Sequence, residues 1–361
     1  MATTLDAAPE ALAETLPVTV LRADLLAWYD RARRRLPWRA EPGERSDPWA
    51  VLVSELMLQQ TTVATVRGRF LPFLQRFPTL TTLAQAPLDE VLHAWQGLGY
   101  YRRAHALHAC AVAVAREHGG RLPTTAEELA QLPGIGPYTA AAVAAIAHDE
   151  PAVPVDANVE RVLARLFAVS RPLPAARPSL RVAAAAFASH ERAGDFAQAL
   201  MELGALVCTP RRPACLACPW RTACRAAATG SPEAFPVKAA RPERAVRHAV
   251  AFLLERADGA FLFRQRPANG ALGGMIELPS TPWLPNPAEL DPTAAAPAAG
   301  DWQPVPGEAR HQFSHIDLTV RLWRAEVAEG PEGLWAAPEA FGALALPTFT
   351  KKLLRHAGLR W

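Results

Sequence analysis

Four of the five cysteines lie close together in the middle of the chain. They follow the pattern C-x6-C-x2-C-x5-C, at Cys208, Cys215, Cys218 and Cys224. Four thiolates from so short a segment can surround one metal centre, and a single Cys-x-x-Cys pair favours a [4Fe–4S] cluster over zinc, which usually takes two such pairs. The fifth cysteine, Cys110, falls in an alanine-rich helical stretch at 104–116 and is expected to be a small core residue.

A glutamate lies on the apolar side of the helix predicted at 49–61, which Asp47 and Pro48 open. The positions i, i+3, i+4 and i+7 of one helix face are occupied by Leu52, Glu55, Leu56 and Gln59. Two interpretations of Glu55 remain open. Its carboxyl is either a structural group satisfied by backbone or by an arginine, or a general acid that desolvation keeps protonated near neutral pH.

A glycine turn between two predicted helices forms a candidate anion site. The capping box Thr-x-x-Glu at 125–128 opens a short helix, and Leu-Pro-Gly-Ile-Gly at 132–136 precedes Pro137, a favourable first helical residue. Backbone N–H groups of such a turn suit a DNA phosphate and do not read base sequence; here they would be those near Gly134 and Gly136. Most glycine turns only connect helices, but this one is followed by Asp156 and Asn158.

Together these features resemble the helix-hairpin-helix DNA glycosylase superfamily, whose iron–sulfur members include the endonuclease III relatives. The resemblance covers about residues 20–228. Three further motifs closely resemble the MutY family of adenine DNA glycosylases, which act on adenine opposite 8-oxoguanine or guanine. They are Leu-Pro-Trp-Arg at 36–39, Ser-Glu-Leu-Met-Leu-Gln-Gln-Thr at 54–61 and Leu-Gly-Tyr-Tyr at 98–101. The resemblance implies a mainly α helix-hairpin-helix domain with a [4Fe–4S] cluster loop, and a role in base excision repair.

The resemblance also implies roles for individual residues. Glu55 would protonate N7 of adenine, and Asp156 would stabilise the oxocarbenium-like sugar, a division of labour like that of glycosidases. Tyr138 and Asn158 match residues near the sugar and the attacking water. The residues implied to bind or support the substrate base are Arg34, Leu36, Trp38, Arg39, Thr61 and Glu202. For Leu36 and Trp38 the alternative is ordinary core.

Other residues are implied to contact the DNA around the displaced base. Gln60 and Tyr100 match residues that enter the base stack where the adenine has left. A buried tyrosine with a satisfied hydroxyl is the alternative for Tyr100. The basic residues that either contact phosphates or form a solvated face are Arg31, Arg33, Arg34, Arg35, Arg39, Arg102 and Arg103.

The scarcity of lysine separates two kinds of glycosylase. In bifunctional members of the superfamily, a lysine after the hairpin attacks the sugar and cleaves the strand. The corresponding position here is Tyr138, and residues 1–237 contain no lysine. A Schiff base needs an amine, so the sequence predicts a monofunctional, water-using enzyme. A bifunctional endonuclease III-like glycosylase and lyase, or a non-catalytic iron–sulfur DNA-binding module, are the alternatives.

The sequence pattern changes from helical to β-compatible beyond residue 244. Short β-compatible runs at 245–255, 260–266 and 316–327, followed by a helical piece at 346–356, predict an α+β domain. Its motifs resemble the Nudix-like domain that MutY proteins carry at the C-terminus. No paired acids follow Glu277, so we expect this domain to bind without hydrolysing a pyrophosphate. The resemblance implies that 8-oxoguanine is recognised by Phe313, Ser314 and His315.

Length and composition set the wider frame. The 361 residues are 50% hydrophobic and 20% charged with a formal net charge of +3, which fits two globular domains and would not by itself suggest nucleic acid. The predicted divisions are a tail at 1–17, a glycosylase domain at 18–228 containing the cluster loop 208–224, a linker at 229–244 and a Nudix-like domain at 245–361. An Ala/Pro-rich segment at 286–300 is expected to be surface loop.

The sequence also gives expectations for the cellular location and the partners of the protein. The N-terminal residues lack the features of secretory and transit signals, and no apolar run reaches about 18 residues, so a cytoplasmic protein of bacterial type, used at the nucleoid, is expected. The predicted partner is double-stranded DNA with an adenine mispaired with 8-oxoguanine or guanine. The protein is expected to be a monomer.

Overall fold

Two compact units make up the chain. The computed structural model describes residues 16–41, 44–239, 243–267, 272–313, 315–344 and 346–360. One unit contains Met1–Pro87 and His105–Ala240, and the other contains Leu88–Ala104 and Arg241–Trp361. The division near residue 240 falls inside the predicted linker, but the segment Leu88–Ala104 is grouped with the second unit, which the predicted boundaries did not anticipate. The predicted tail at 1–17 lies almost wholly outside the described residues.

Helices dominate the described chain up to residue 239. In chain order they are α1 (Val18–Ala32), α2 (Pro48–Leu58), α3 (Val63–Arg76), α4 (Leu80–Gln85), α5 (Leu88–Ala94), α6 (Arg102–Glu117), α7 (Ala126–Leu129), α8 (Pro137–His148), α9 (Ala157–Leu166), α10 (Arg177–Ala185), α11 (Ala193–Leu206) and α12 (Arg225–Ala228). Short 3-10 turns occur at Cys215–Ala217 and Pro232–Ala234. Of these helices, α5 and the first residues of α6 are grouped with the second unit.

Local sequence signals explain where the site-bearing helices begin. The Asp47 carboxylate accepts a hydrogen bond from the Trp49 N–H at 3.1 Å, and Pro48 occupies the first turn of α2. Asp156 caps α9 in the same way, through the Val159 N–H at 2.8 Å. Capping satisfies N–H groups that a helix start leaves without intrahelical partners. It also fixes the backbone next to each capping residue.

The core of the first unit packs α1, α9, α10 and α11 together. Leu25, Leu163 and Leu200 are fully buried in it, one from each of three of these helices. Trp220, from the cysteine segment, joins the same core and donates its indole N–H to the Leu21 carbonyl at 2.8 Å. The cysteine segment is therefore anchored to the helical core.

The predicted hairpin is formed by α7 and α8. The Thr125 hydroxyl accepts a hydrogen bond from the Glu128 N–H at 3.2 Å, as the capping box predicts. Gly134 has a φ of +74°, and a Cβ there would lie 2.4 Å from the Cβ of Ala106, so no larger residue fits. Gly136 is the N-cap of α8, and a Cβ there would meet nothing within 4 Å. The turn is tight at Gly134 and open at Gly136.

The second unit contains a seven-stranded mixed sheet. Its strands are β1 (Ala245–Arg256), β2 (Phe261–Gln265), β3 (Ile276–Glu277), β4 (Gln303–Pro304), β5 (Ala309–Gln312), β6 (Ile316–Val327) and β7 (Leu334–Ala336). The order is β3-β2-β1-β6-β4, with β5 paired to β6 and β7 paired to β2. The long strands β1 and β6 are parallel, from the pair Ala245 and Ile316 to the pair Arg256 and Val327.

Two shorter helices complete this unit, α13 (Pro292–Ala295) and α14 (Thr348–His356). Leu353 and Leu354 of α14 pack into a core with Phe261 and Phe263 of β2. The segment 286–300, expected to be loop, contains α13 and a 3-10 turn at Pro287–Glu289, each started by an Asx cap. None of the helices in the described part of the chain has the length and apolar character needed to cross a membrane.

Candidate active site

Glu55 lies in the third turn of α2 among apolar neighbours. Its side chain is buried, and the residue is 6% exposed. Burial raises the pKa of its carboxyl to about 7, and the nearby Asp156 carboxyl contributes in the same direction. The hydroxyl of Tyr138 and the charge of Arg39 act against this rise. At neutral pH the carboxyl is therefore poised between its two protonation states, as a general acid requires.

Tyr138 comes from the first turn of α8 and reaches this carboxyl. Its hydroxyl donates to Glu55 Oε2 at 2.6 Å and lies 3.2 Å from the Sδ of Met201. Burial, followed by the charges of Glu55 and Asp156, raises the pKa of the phenol well above its usual value. Tyr138 is therefore a neutral hydrogen-bond donor that orients Glu55. Sequence reasoning did not identify Met201, whose position on α11 carries no local signal.

Asp156 is the second carboxyl of the site. Its Oδ1 accepts from the Val159 N–H and its Oδ2 accepts from Asn158 Nδ2, each at 2.8 Å. Burial raises the pKa of the carboxyl, and these hydrogen bonds oppose that rise by favouring the charged form. The structure brings Asp156 and Asn158 together as the resemblance implied, and it gives the carboxyl a fixed orientation.

Arg161 supports this pair from one turn further along α9. Its Nη2 donates to Asn158 Oδ1 at 2.9 Å and to the Gly204 carbonyl at 2.7 Å, and its Nε donates to the Cys208 carbonyl at 2.6 Å. A Cβ at Gly204 would lie 2.7 Å from the Cβ of Asn158, so glycine permits this close approach. Sequence reasoning missed Arg161; its spacing of i+3 from Asn158 was the available signal.

Glu202 on α11 is also buried, and two arginines neutralise it. Arg34 donates from Nε to Oε1 and from Nη2 to Oε2, both at 2.8 Å, and Arg39 donates from Nη2 to Oε2 at 2.8 Å. Burial alone would raise the pKa of Glu202, but its arginine partners outweigh burial and hold it at about 2. The basic run at 31–39 is therefore not a uniform solvated face, because Arg34 and Arg39 are turned towards this carboxylate.

The other residues predicted for the base pocket occupy different environments. Leu36 and Trp38 are buried, and Trp38 contacts Phe70 edge-on at 5.6 Å between ring centroids. Gln60 is exposed with a φ of 54°, directly after α2 ends, and Thr61 is half-buried. The predicted helix ran to Thr61, but it ends at Leu58 because the chain turns at Gln60.

Tyr100 and Tyr101, neighbours in the segment Leu88–Ala104, differ in their exposure to solvent. Tyr100 is 55% exposed, whereas Tyr101 is 8% exposed. The alternative of a buried Tyr100 is therefore wrong. Arg102 is exposed and remains a candidate phosphate contact, but Arg103 is buried and donates to backbone carbonyls. Neither alternative for Arg103, a phosphate contact or part of a solvated face, fits the structure, because its guanidinium is turned into the protein.

The cysteine segment places four free thiols in partly buried positions. Burial raises the pKa of Cys218 to about 12, while the Trp220 N–H hydrogen bond acts against the rise. The other three cysteines also act electrostatically on Cys218, so the four thiols lie in one neighbourhood. Arg165 donates to Cys208 Sγ at 3.3 Å and to the carbonyls of Thr209 and Pro210.

Two kinds of metal centre use sets of cysteine thiolates, a single zinc ion and an iron–sulfur cluster. Within the described ranges, no three His, Cys, Asp or Glu side chains converge on a position for a single metal ion. A multinuclear cluster binds its four thiolates at different iron atoms and so needs wider spacing. Charged and N–H donors to sulfur, such as Arg165 at Cys208, are also found around such clusters. The four partly buried thiols are donors of the kind that an iron–sulfur cluster uses.

In the second unit, Phe313 belongs to an aromatic cluster. Its ring stacks on Trp283 at 5.3 Å and lies 5.8 Å from Phe349. His315 is exposed at the start of β6, and Ser314 lies outside the described residues. The structure therefore shows where two members of the predicted triplet lie, and only His315 is freely accessible.

Glu277 is the residue after which the sequence lacks the paired acids of a working pyrophosphohydrolase. Arg264 Nε donates to Glu277 Oε1 at 2.9 Å and Arg266 forms an ion pair with Oε2, so this carboxylate is already neutralised. The segment after it lies extended along β1, with the Thr281 N–H donating to the Val250 carbonyl at 2.9 Å. Between 278 and 286, all of it described, no helix presents acids to a metal ion.

Comparisons with known proteins were made for the whole chain. A model of the HhH-GPD superfamily of base excision DNA repair proteins matches residues 53–179, and a NUDIX domain model matches residues 250–356. Human adenine DNA glycosylase is 38% identical, over 94% of this chain and 74% of its own length. The adenine DNA glycosylase of Mycolicibacterium smegmatis is 45% identical, over 57% of this chain and 71% of its own length.

A solved structure supports the fold of the helical part. A thermostable thymine-DNA glycosylase aligns with a TM-score of 0.54 at 30% sequence identity, covering 59% of this chain and 97% of that chain. The expected architecture, a helical helix-hairpin-helix domain followed by a Nudix-like domain, is confirmed by these matches.

Proposed function

The chain belongs to the adenine DNA glycosylase family, and from this membership we propose that it removes adenine mispaired with 8-oxoguanine or guanine and stops at the abasic site. As an adenine DNA glycosylase it is a hydrolase of N-glycosyl bonds in base excision repair. The observation that carries the proposal is the buried carboxyl of Glu55, with a pKa of about 7, facing the Tyr138 hydroxyl.

Glu55 supplies the proton that makes adenine a leaving group. Adenine leaves poorly as an anion, and protonation at N7 allows it to depart as a neutral base. A carboxyl with a pKa near the working pH both carries a proton and releases it readily. The Tyr138 hydroxyl engages Oε2 of Glu55 and fixes the plane of the carboxyl.

Asp156 stabilises the positive charge that develops on the sugar as the bond between C1′ and N9 breaks. Hydrogen bonds from the Val159 N–H and the Asn158 amide oppose the rise that burial causes in the pKa of Asp156, and they hold its carboxyl in one orientation. Glu55, whose pKa burial raises to about 7, is the acid, and the hydrogen-bonded Asp156 is the electrostatic stabiliser. Water then adds to C1′ and leaves an abasic site.

The reaction is proposed to stop there because the site lacks an amine. Tyr138 occupies the position of the lyase lysine, and the first lysine of the chain is Lys238. A tyrosine cannot form a Schiff base with the opened sugar.

A [4Fe–4S] cluster is proposed at the four thiols of the cysteine segment. The ligands would be Cys208, Cys215, Cys218 and Cys224. The cluster would hold the segment in shape, and the proposal assigns it no part in breaking the glycosidic bond. Arg165 and Arg161 would fix the segment through its carbonyls, at Thr209 and Cys208.

Recognition of 8-oxoguanine is proposed for the second unit. The exposed His315, together with Ser314, would supply hydrogen bonds to the oxidised base, and the aromatic cluster would fix the position of Phe313 beside them in sequence. Because Glu277 is paired with two arginines and the described segment 278–286 contains no acidic helix, the unit would bind without hydrolysis.

A glycosylase assay across duplexes tests the proposal. The purified chain should release free adenine from duplexes with adenine opposite 8-oxoguanine or guanine, and release no base from duplexes with only matched pairs. Strand breaks should appear only after alkali, and borohydride should trap no covalent complex. Trapping, or release of thymine or another pyrimidine, would favour the bifunctional alternative. Absence of any released base would favour a binding module.

A further inference from the structure

The loop that ends at Tyr100 has an unusual backbone. Gly97, Gly99 and Tyr100 all have positive φ, at 86°, 67° and 47°. Glycine adopts this region freely, but a tyrosine there is strained. Such strain persists only where the surroundings hold the backbone in place. Tyr100 is nevertheless 55% exposed, so its own side chain is not what anchors it.

Arg103 provides most of the anchoring. Its Nη2 donates to the Leu98 carbonyl at 2.9 Å and to the Gly99 carbonyl at 3.0 Å, and its Nε is 3.4 Å from the Tyr100 carbonyl. Trp95 Nε1 also donates to the Gly99 carbonyl, at 3.2 Å. One side chain thus engages three successive carbonyls of the loop.

The same guanidinium lies between two rings. Its central carbon is 5.4 Å from the Trp95 ring centroid and 5.5 Å from the Tyr100 ring centroid. Trp95 is fully buried and Arg103 is 7% exposed, so this stack extends from the interior of the protein to the exposed face of Tyr100. Arg103 lies in the first turn of α6, so its backbone is part of a regular helix.

We infer that Arg103 is a positioning residue that presents Tyr100, as a preformed wedge, to the base stack of DNA. This inference rests on the proposed function, in which Tyr100 enters the gap left by the displaced adenine. A ring that is already fixed loses little conformational freedom when it enters the stack, whereas a mobile loop would have to be ordered in every binding event. Neither lysine nor methionine can reproduce a planar fork that contacts three carbonyls and two rings.

A double-mutant cycle on the full-length protein tests this role. Single-turnover release of adenine from an 8-oxoguanine:adenine duplex is measured for the wild type, Tyr100→Ala, Arg103→Met and the double variant. We expect each single change to slow release about tenfold, the scale of one lost stacking contact. The double variant should be within about twofold of Tyr100→Ala, because Arg103 acts through that ring.

Two further measurements separate positioning from general destabilisation. Arg103→Lys keeps the charge and is the milder change, and it should slow release about threefold, again only when Tyr100 is present. Affinity for a fully matched duplex should change less than about twofold, because phosphate contacts dominate nonspecific binding. The control is Arg116→Met, on the exposed part of the same helix, where the arginine pairs only with its neighbour Glu117.

The possible outcomes are distinct. Equal slowing by Arg103→Met and Arg103→Lys in both backgrounds means a merely structural role and overturns the inference. A Tyr100→Ala variant as fast as the wild type overturns it too, while the proposed glycosylase function stands. If the wild type itself releases no adenine, the proposed function fails first, and the wedge role fails with it.

Discussion

Two buried glutamates in the first unit have opposite acid–base behaviour. Glu55 is 6% exposed and Glu202 is 1% exposed, so burial is nearly the same. Burial, helped by Asp156, raises the pKa of Glu55 to about 7, whereas the paired arginines hold that of Glu202 at about 2. Glu55 accepts from a neutral phenol, and Glu202 accepts from two guanidinium groups. Burial pushes both pKa values upward, and the charge of the neighbours decides which carboxyl stays ionised.

The comparison assigns different tasks to the two groups. Glu55 exchanges a proton near neutral pH and suits catalysis. Glu202 stays ionised and fixes Arg34 and Arg39 beside the base pocket. The following predictions test this division.

The largest effect is expected for Glu55→Gln. An amide of the same shape cannot protonate adenine, so single-turnover release should fall about 1,000-fold. Affinity for the mispaired duplex should stay within a few-fold. Glu117→Gln, the same substitution at an exposed glutamate of α6, is the matched control and should keep the wild-type rate. Substantial turnover by Glu55→Gln would remove the role given to this carboxyl.

Glu202→Gln should instead act mainly on stability. It leaves two guanidinium groups without their carboxylate, and breaking a buried ion pair costs about 3 kcal/mol or more in the free energy of unfolding. Urea denaturation at pH 6 measures this loss. At that pH, Glu55→Gln should cost less than about 1 kcal/mol, because it replaces a largely neutral group by a neutral one. Equal losses for the two variants would contradict the comparison.

The pH dependence of stability should also differ between the two sites. The folded-state pKa of Glu55 is about 7 against 4.5 for an ordinary glutamate, so the folded state binds the extra proton in this interval. Its contribution to stability is therefore present below pH 4.5 and is lost as pH rises to about 7. Relative to Glu55→Gln, the wild type should lose about 3 kcal/mol across that interval.

Glu202 should show the opposite sign. Its pKa is lowered to about 2 in the folded state, so its contribution is present above pH 4.5 and is lost as pH falls towards 2. Unfolding free energies of wild type, Glu55→Gln and Glu202→Gln measured from pH 3 to 8 would separate the two contributions. If the difference in unfolding free energy between the wild type and Glu55→Gln does not vary between pH 4.5 and 7, the pKa of Glu55 is not raised.

The smallest effect is expected for Tyr138→Phe. The Tyr138 hydroxyl lowers the pKa of Glu55, so its removal should raise that pKa further. The wild-type kcat/KM should decline above about pH 7, since protonated Glu55 is the active form. In the variant this decline should move to higher pH, whatever the loss in absolute rate. A decline at the same or a lower pH would show that the hydroxyl does not tune Glu55.

Much of the local structure was predictable from sequence. Capping residues and Pro48 marked the start of α2, and the capping box and glycines marked the hairpin, because these signals act within a few residues. The β-compatible runs marked β1 and β6, but not their parallel pairing, which joins residues about 70 positions apart in the chain. The early end of α2 at Leu58 was also missed, because Gln60 adopts a left-handed backbone without being glycine.

The sequence predicted which residues form the candidate site, but it did not predict the contacts that they make. The sequence places Glu55 on an apolar stripe but leaves both interpretations of it open. In the structure its carboxyl accepts a hydrogen bond from Tyr138, whereas that of Glu202 accepts hydrogen bonds from an arginine. Arg103 was grouped with arginines that either contact phosphates or form a solvated face, and only the folded loop shows its guanidinium turned inward. Adjacent arginines at 102 and 103 look alike in sequence and differ completely in burial.

By itself the sequence determined the family, the carboxyl pair, the absence of lysine before residue 238 and the spacing of the four cysteines. These depend on residue identity and local spacing, which folding does not alter. The tertiary structure alone decided that Glu55 is poised near neutral pH, that Glu202 stays ionised, and that Arg103 supports Tyr100. Each of these depends on which charges, donors and rings lie within a few ångströms, and only the packing of distant segments determines that.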